Sequence, residues 1–101
     1  MRIELEQLLK NHAGEFITDK DSGDSRAITL RKALEFALVF AESDDPEDRV
    51  LFYELAKMLF GVDAIAFTEP EVETVEEAVK LYYAKNTIML GSVLDVLRNS
   101  E

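Results

Sequence analysis

Apolar residues recur at helical spacing along three stretches of this chain, and that periodicity limits the fold more than any other feature. In residues 30–42 it is carried by Leu30, Ala33, Leu34, Ala37, Leu38 and Ala41. In residues 46–60 it is carried by Leu51, Phe52, Leu55, Ala56 and Leu59, and in residues 75–97 by Val75, Ala78, Val79, Tyr82, Met89, Leu90, Val93, Val96 and Leu97. A helix with an apolar stripe has to bury it against another element, so the three stretches predict helices around a shared core.

Local punctuation places the helix ends. Thr29 is a suitable N-cap for the first helix, and Phe36, Val39 and Phe40 widen its apolar surface. That helix is expected to be central, with only Arg31, Lys32, Glu35 and Glu42 toward water. The second helix has Asp45 as cap, Pro46 at its first position, Asp48 where a capping-box acid belongs, and Gly61 as its stop. Val50, Tyr53 and Phe60 lie on a different side of it, around Lys57. Residues 62–67 read as an apolar connector that packs down. Pro70 argues against a helix just before it, so Thr74, with Glu77 three residues on, is the expected next cap. A continuous helix over residues 75–98 would be roughly 36 Å long. That is long for so small a domain, so a kink or break is expected at Lys85-Asn86-Thr87.

The N-terminal stretch has a different period. Ile3 and Leu5 alternate with Arg2, Glu4 and Glu6, a strand pattern, and Asn11-His12-Ala13-Gly14 is a turn before extended residues 15–18. These residues read as a hairpin; the alternative puts Ile3, Leu5, Leu8 and Leu9 on one face of a short helix. An acidic loop over residues 19–28 follows. The expected fold is α+β and predominantly helical, a short N-terminal β-hairpin followed by a three- or four-helix bundle, with an all-α fold as the alternative. With 101 residues, 48% of them apolar, one domain can bury roughly two thirds of its unfolded surface.

Charge is the least even feature. Residues 42–77 hold twelve acids against Arg49 and Lys57, a balance of −10, which is the charge of the whole chain. Two runs stand out: Asp44, Asp45, Glu47 and Asp48, then Glu69, Glu71, Glu73, Glu76 and Glu77. Direct binding to nucleic acid or to an anionic membrane is disfavoured, because both need clustered Lys and Arg. Cysteine is absent, the first residues carry acids where a signal peptide has an apolar run, and no apolar stretch nears the roughly 20 residues of a membrane span. A cytoplasmic location is expected.

Motifs with chemistry are sparse. The loop Asp19-Lys20-Asp21-Ser22-Gly23-Asp24 has Gly23 and Leu30 where an EF-hand needs an acid and a glutamate, so no calcium site is expected. His12, the sole histidine, reads as an exposed turn residue, and no serine has the setting of a nucleophile elbow. The clustered carboxylates have solvation and helix capping as their simplest explanation. No enzyme activity, metal or cofactor is expected. Phe36, Phe40, Phe52 and Phe60 read most simply as core. Tyr82 and Tyr83 point about 100° apart on a helix, and Tyr83 is the one expected at the surface.

Several segments carry a resemblance: Gly14-Glu15-Phe16-Ile17, Ile28-Thr29-Leu30-Arg31-Lys32-Ala33-Leu34, Tyr53-Glu54-Leu55-Ala56-Lys57, and Tyr83-Ala84-Lys85 ahead of Gly91-Ser92-Val93-Leu94-Asp95-Val96-Leu97. In this order they resemble small uncharacterised proteins of tailed bacteriophages and prophages. The resemblance implies no catalytic residues. In such proteins a proline often marks the break before the last helix; Thr87-Ile88 has none.

Two functions fit this reading. One is a non-catalytic interaction or assembly factor that docks a protein partner or a second copy, with Val50, Tyr53, Phe60 and Tyr83 as its anchors. The other is a nucleic-acid mimic whose two acidic runs replace phosphates in the basic groove of a host protein. Asn86, set in an apolar stripe, is a candidate for fixing register in a helix pair.

Overall fold

The computed structural model describes residues 2–18 and 27–99. Its elements in chain order are β1 (Arg2–Glu4), α1 (Leu30–Phe40), α2 (Pro46–Leu59), β2 (Ala64–Ala66), α3 (Glu69–Tyr82) and α4 (Thr87–Asn99). The fold is α+β and mainly helical, as the periodicity requires.

The β character of the N-terminus has two partners. β1 pairs antiparallel with β2, with Ile3 opposite Ile65, and the Leu5 N–H continues the ladder to the Asp63 carbonyl at 2.9 Å. The apolar connector over residues 62–67 therefore contains a strand. Further on, the expected hairpin is present in short form. The Ile17 N–H donates to Leu9, the Asn11 N–H donates to Glu15, and Gly14 takes a positive φ of 81° in the turn. Asn11 holds that turn by accepting from the Ala13 and Glu15 N–H groups. The Ile28 N–H then donates to Ile17, which leads the chain back to α1.

The N-terminal segment also completes the start of α1. The first N–H groups of a helix have no partner inside it. Here Leu30 donates to the Gln7 carbonyl, Arg31 to the Leu5 carbonyl, and Lys32 to the Thr29 hydroxyl. The other end of α2 is finished by α1. The Arg31 guanidinium, expected in water, donates to the carbonyls of Leu59 and Val62, and pairs with Glu6 at 2.7 Å. A cation at a helix C-terminus satisfies its free carbonyls and opposes its dipole.

α1 packs on α2, α3 and α4, and its Leu30, Ala33, Leu34, Ala37 and Leu38 are buried. The three helices contribute Phe52, Leu55 and Leu59, then Val75, Ala78 and Val79, then Met89, Val93 and Leu97 to one contiguous core. Ile3, Leu5 and Leu9 close it from the N-terminal side.

Three sequence expectations are corrected. α3 starts at Thr68, not Thr74: the Thr68 hydroxyl and the Glu71 carboxylate form a reciprocal capping box. Pro70 falls in the first turn, where its missing N–H has no intrahelical partner to lose. Asp48 does not close a capping box either; its carboxylate accepts from the Ser43 hydroxyl, while Asp45 caps α2. Asn86 is the N-cap of α4, accepting from the Met89 N–H, so it starts a new helix and does not sit inside one continuous apolar stripe. The break expected around residues 85–87 is thus real and has a cap as its cause.

Candidate functional site

α2 divides into two faces because its apolar residues belong to two sets. Phe52, Leu55 and Leu59 share the side that packs on the core. Val50, Tyr53 and Phe60 share another, and they are 54%, 60% and 84% exposed. With 100° per residue, Val50, Tyr53, Lys57 and Phe60 fall within about 80° of one another. They form one stripe along the helix. The Lys57 ammonium lies 5.2 Å from the centre of the Tyr53 ring and 3.1 Å from the Glu54 carboxylate, which holds the ring and the cation together. Leu51, expected on the core face, is also exposed.

The fourth candidate anchor is not at the surface. Tyr83 is 7% exposed, and its hydroxyl donates to the Ala33 carbonyl at 2.9 Å. Burial, and then the neighbouring Tyr82, push its phenol well above the usual tyrosine range. The order of the two tyrosines is the reverse of the expectation. Tyr83 has a carbonyl within reach for its polar tip, so it can be buried at no cost in unsatisfied polar groups. Tyr82 turns out to the flank of α1, where its ring meets Phe40 at 6.3 Å, and Phe40 meets Phe36 at 6.0 Å.

That aromatic flank escaped the sequence reading. Phe36 and Phe40 read as core but are exposed, as is Val39; Phe60, also read as core, is exposed at the end of α2, and of the four phenylalanines so read only Phe52 is buried. The available signal was width. Leu30, Ala33, Leu34, Ala37 and Leu38 already fill the core-facing side of α1, and Phe36, Phe40 and Val39 lie outside that arc. Beside the flank is an open cavity of about 620 Å³ with Ile17, Ile28, Phe36, Tyr82 and Ile88 in its walls.

The acidic candidates divide as well. Asp45 and Glu71 cap helices, Asp48 accepts from Ser43, and Glu76 pairs with Arg98 at 3.2 Å. Asp44, Glu47, Glu69, Glu73 and Glu77 are exposed. Four of the nine carboxylates are therefore engaged inside the fold, and five remain directed at solvent.

His12 is exposed in its turn, and with Ser92 and Asp95 it lines a shallow cavity. The polar groups there are committed elsewhere. The Ser92 hydroxyl donates to the Lys10 carbonyl at 2.6 Å, and Asp95 accepts from Asn99 at 2.8 Å. Among the described residues no cluster of three His, Asp or Glu side chains is placed to hold a metal ion, and no helix is long and apolar enough to cross a membrane. The calcium question at residues 19–24 lies outside the described residues.

No protein-family model, curated protein or solved structure matches the chain.

Proposed function

We propose that this protein is a non-catalytic interaction or assembly factor, encoded by a phage or prophage as the resemblance implies, which docks a protein partner through the outer stripe of α2. The observation that supports this reading is the exposure of Val50, Tyr53 and Phe60 along one line of α2 and its C-cap, away from the core-packed Phe52, Leu55 and Leu59. Large apolar side chains grouped at a surface are what interfaces are built on, and tyrosine is among the residues that contribute most to binding.

The test is affinity capture from the native host's lysate with the wild-type chain and with the Val50→Ser/Tyr53→Ser/Phe60→Ser variant. The variant is expected to keep its helical circular dichroism and to lose the partner. Equal recovery of the same partner by both proteins would overturn the proposal.

A second reading is favoured by the five solvent-directed carboxylates, Asp44, Glu47, Glu69, Glu73 and Glu77. As a nucleic-acid mimic the protein would hold a basic groove by charge alone. In that case capture is unaffected by the stripe variant and is abolished by high salt.

A further inference from the structure

We propose that the open cavity beside the aromatic flank is a binding site for a small amphipathic organic anion, an aromatic body carrying one acidic group. The site is separate from the outer stripe of α2 and does not depend on the docking role just proposed. Its volume of about 620 Å³ lies within the roughly 300–1,000 Å³ of small-molecule sites. Three parts of the chain enclose it. Ile17 and Ile28 come from the paired segments that lead back to α1, Phe36 from α1 itself, and Tyr82 and Ile88 from either side of the junction between α3 and α4. The Tyr82 ring is held between Tyr83 at 4.8 Å and Phe40 at 6.3 Å, so the aromatic wall is formed before any ligand arrives. A fixed aromatic face favours a flat, apolar ligand body.

The polar groups of the walls select the ligand's charge. Among the described residues the walls contain no acid and one cation, Lys32, whose ammonium lies 5.6 Å from the centre of the Phe36 ring. Asn86 adds a second donor. Its Oδ1 accepts from the Met89 N–H as the cap of α4, which leaves the amide NH2 as the group it can offer to a ligand. An ammonium and a donor amide beside aromatic faces match the acceptor oxygens of an acid. The distribution of charge along the chain agrees. Residues 25–34 hold Arg26, Arg31 and Lys32, residues 78–94 hold Lys80 and Lys85, and neither stretch contains an acid. They are the two longest acid-free stretches of the chain, and both donors come from them. Residues 42–77, which carry the charge of −10, contribute nothing to these walls.

The experiment titrates the full chain with anilinonaphthalene sulfonate, an aromatic anion, and with phenylnaphthylamine, the same ring system without the sulfonate. Fluorescence enhancement reads the affinity, and circular dichroism confirms that each variant keeps its helices. The anion is expected to saturate at one per chain. Lys32→Gln should weaken it by about tenfold, the loss of one hydrogen bond between charged groups. Asn86→Asp keeps the α4 cap, because Asp serves there as well as Asn, but sets a carboxylate where the donor was. It should weaken the anion by at least about tenfold. Neither change should alter binding of the uncharged probe. Phe36→Ala/Ile88→Ala, at two exposed positions, should weaken both probes, and Val50→Ser/Tyr53→Ser/Phe60→Ser should weaken neither.

Absence of saturable binding of the anion would overturn the site, as would binding that Phe36→Ala/Ile88→Ala leaves intact. The anionic ligand class is overturned if Lys32→Gln and Asn86→Asp leave the anion unaffected, or weaken both probes alike. Loss of the anion from the α2 variant would move the binding to the stripe and overturn the cavity assignment. The site and the docking role fail separately, because the probe titration reads the cavity and lysate capture reads the stripe.

Discussion

Tyr83 shows how a single residue can be placed by one hydrogen bond. Its ring is buried at the end of α3 against α1, and its hydroxyl has the Ala33 carbonyl for a partner. Replacing it by Phe keeps the ring and removes the donor, so Tyr83→Phe is expected to cost about 0.5–1.5 kcal/mol in urea unfolding. The phenol also makes stability depend on pH. Its folded pKa lies above the unfolded value of 10.0, so the unfolded chain loses this proton first as pH rises. Fewer protons on the unfolded state mean that stability falls with pH, by at most about 1.4 kcal/mol per pH unit for one group. The contribution is complete below pH 10 and declines above it. Wild type should therefore lose more stability between pH 9 and 11 than Tyr83→Phe, and parallel declines in the two proteins would contradict the burial of an intact phenol. Arg31 makes a related point. Sequence alone gives a helix arginine as a solvent-facing cation; its actual task, closing the C-terminus of α2, exists only because the two helix ends meet.

At the scale of elements, helix termini were legible where the signal was local and misread where two local signals competed. Thr29, Asp45-Pro46 and Gly61 each act within one turn of their own helix, and each does what its residue type implies. The start of α3 offered both Thr68 and Thr74, each followed three residues later by a glutamate. Pro70 disfavours a helical residue before it, but in the first turn of a helix it is neutral or favourable. The two assignments predict different mutants. Thr68→Ala should destabilise the protein by about 1 kcal/mol through loss of the cap. Thr74→Ala should be close to neutral, because the Thr74 hydroxyl only bonds back to the Pro70 carbonyl within the helix. Thermal unfolding of the pair decides between them, and a larger loss for Thr74→Ala would place the helix start where the sequence reading had it. β2 was not legible at all. Three residues of Ala-Ile-Ala carry no alternation strong enough to declare a strand, and it becomes one because β1 lies beside it.

For the whole molecule the governing quantity is a charge of −10 on 101 residues. Four carboxylates of the two acidic runs are tied to caps, Ser43 or Arg98, and five are not. The unbalanced remainder repels itself in the compact state. Added salt shortens the screening length from about 30 Å at 0.01 M to about 8 Å at 0.15 M. The melting temperature should accordingly rise by several degrees over that range, and a fall would mean that paired surface charges outweigh the repulsion.

What the sequence alone determined is what depends on neighbours along the chain: the helical periods, most caps, the turn at Asn11 to Gly14, the break at Asn86, and the placing of Val50, Tyr53 and Phe60 on a different side of α2 from Phe52, Leu55 and Leu59. Tertiary structure decided the pairing of β1 with β2, the burial of Tyr83 in place of Tyr82, the outward turn of Phe36 and Phe40, and which acids were left free. The reason is the range of the forces involved. Capping and periodicity act over one or two turns, whereas burial is allotted by the space between helices, and that space is set only when all of them have packed.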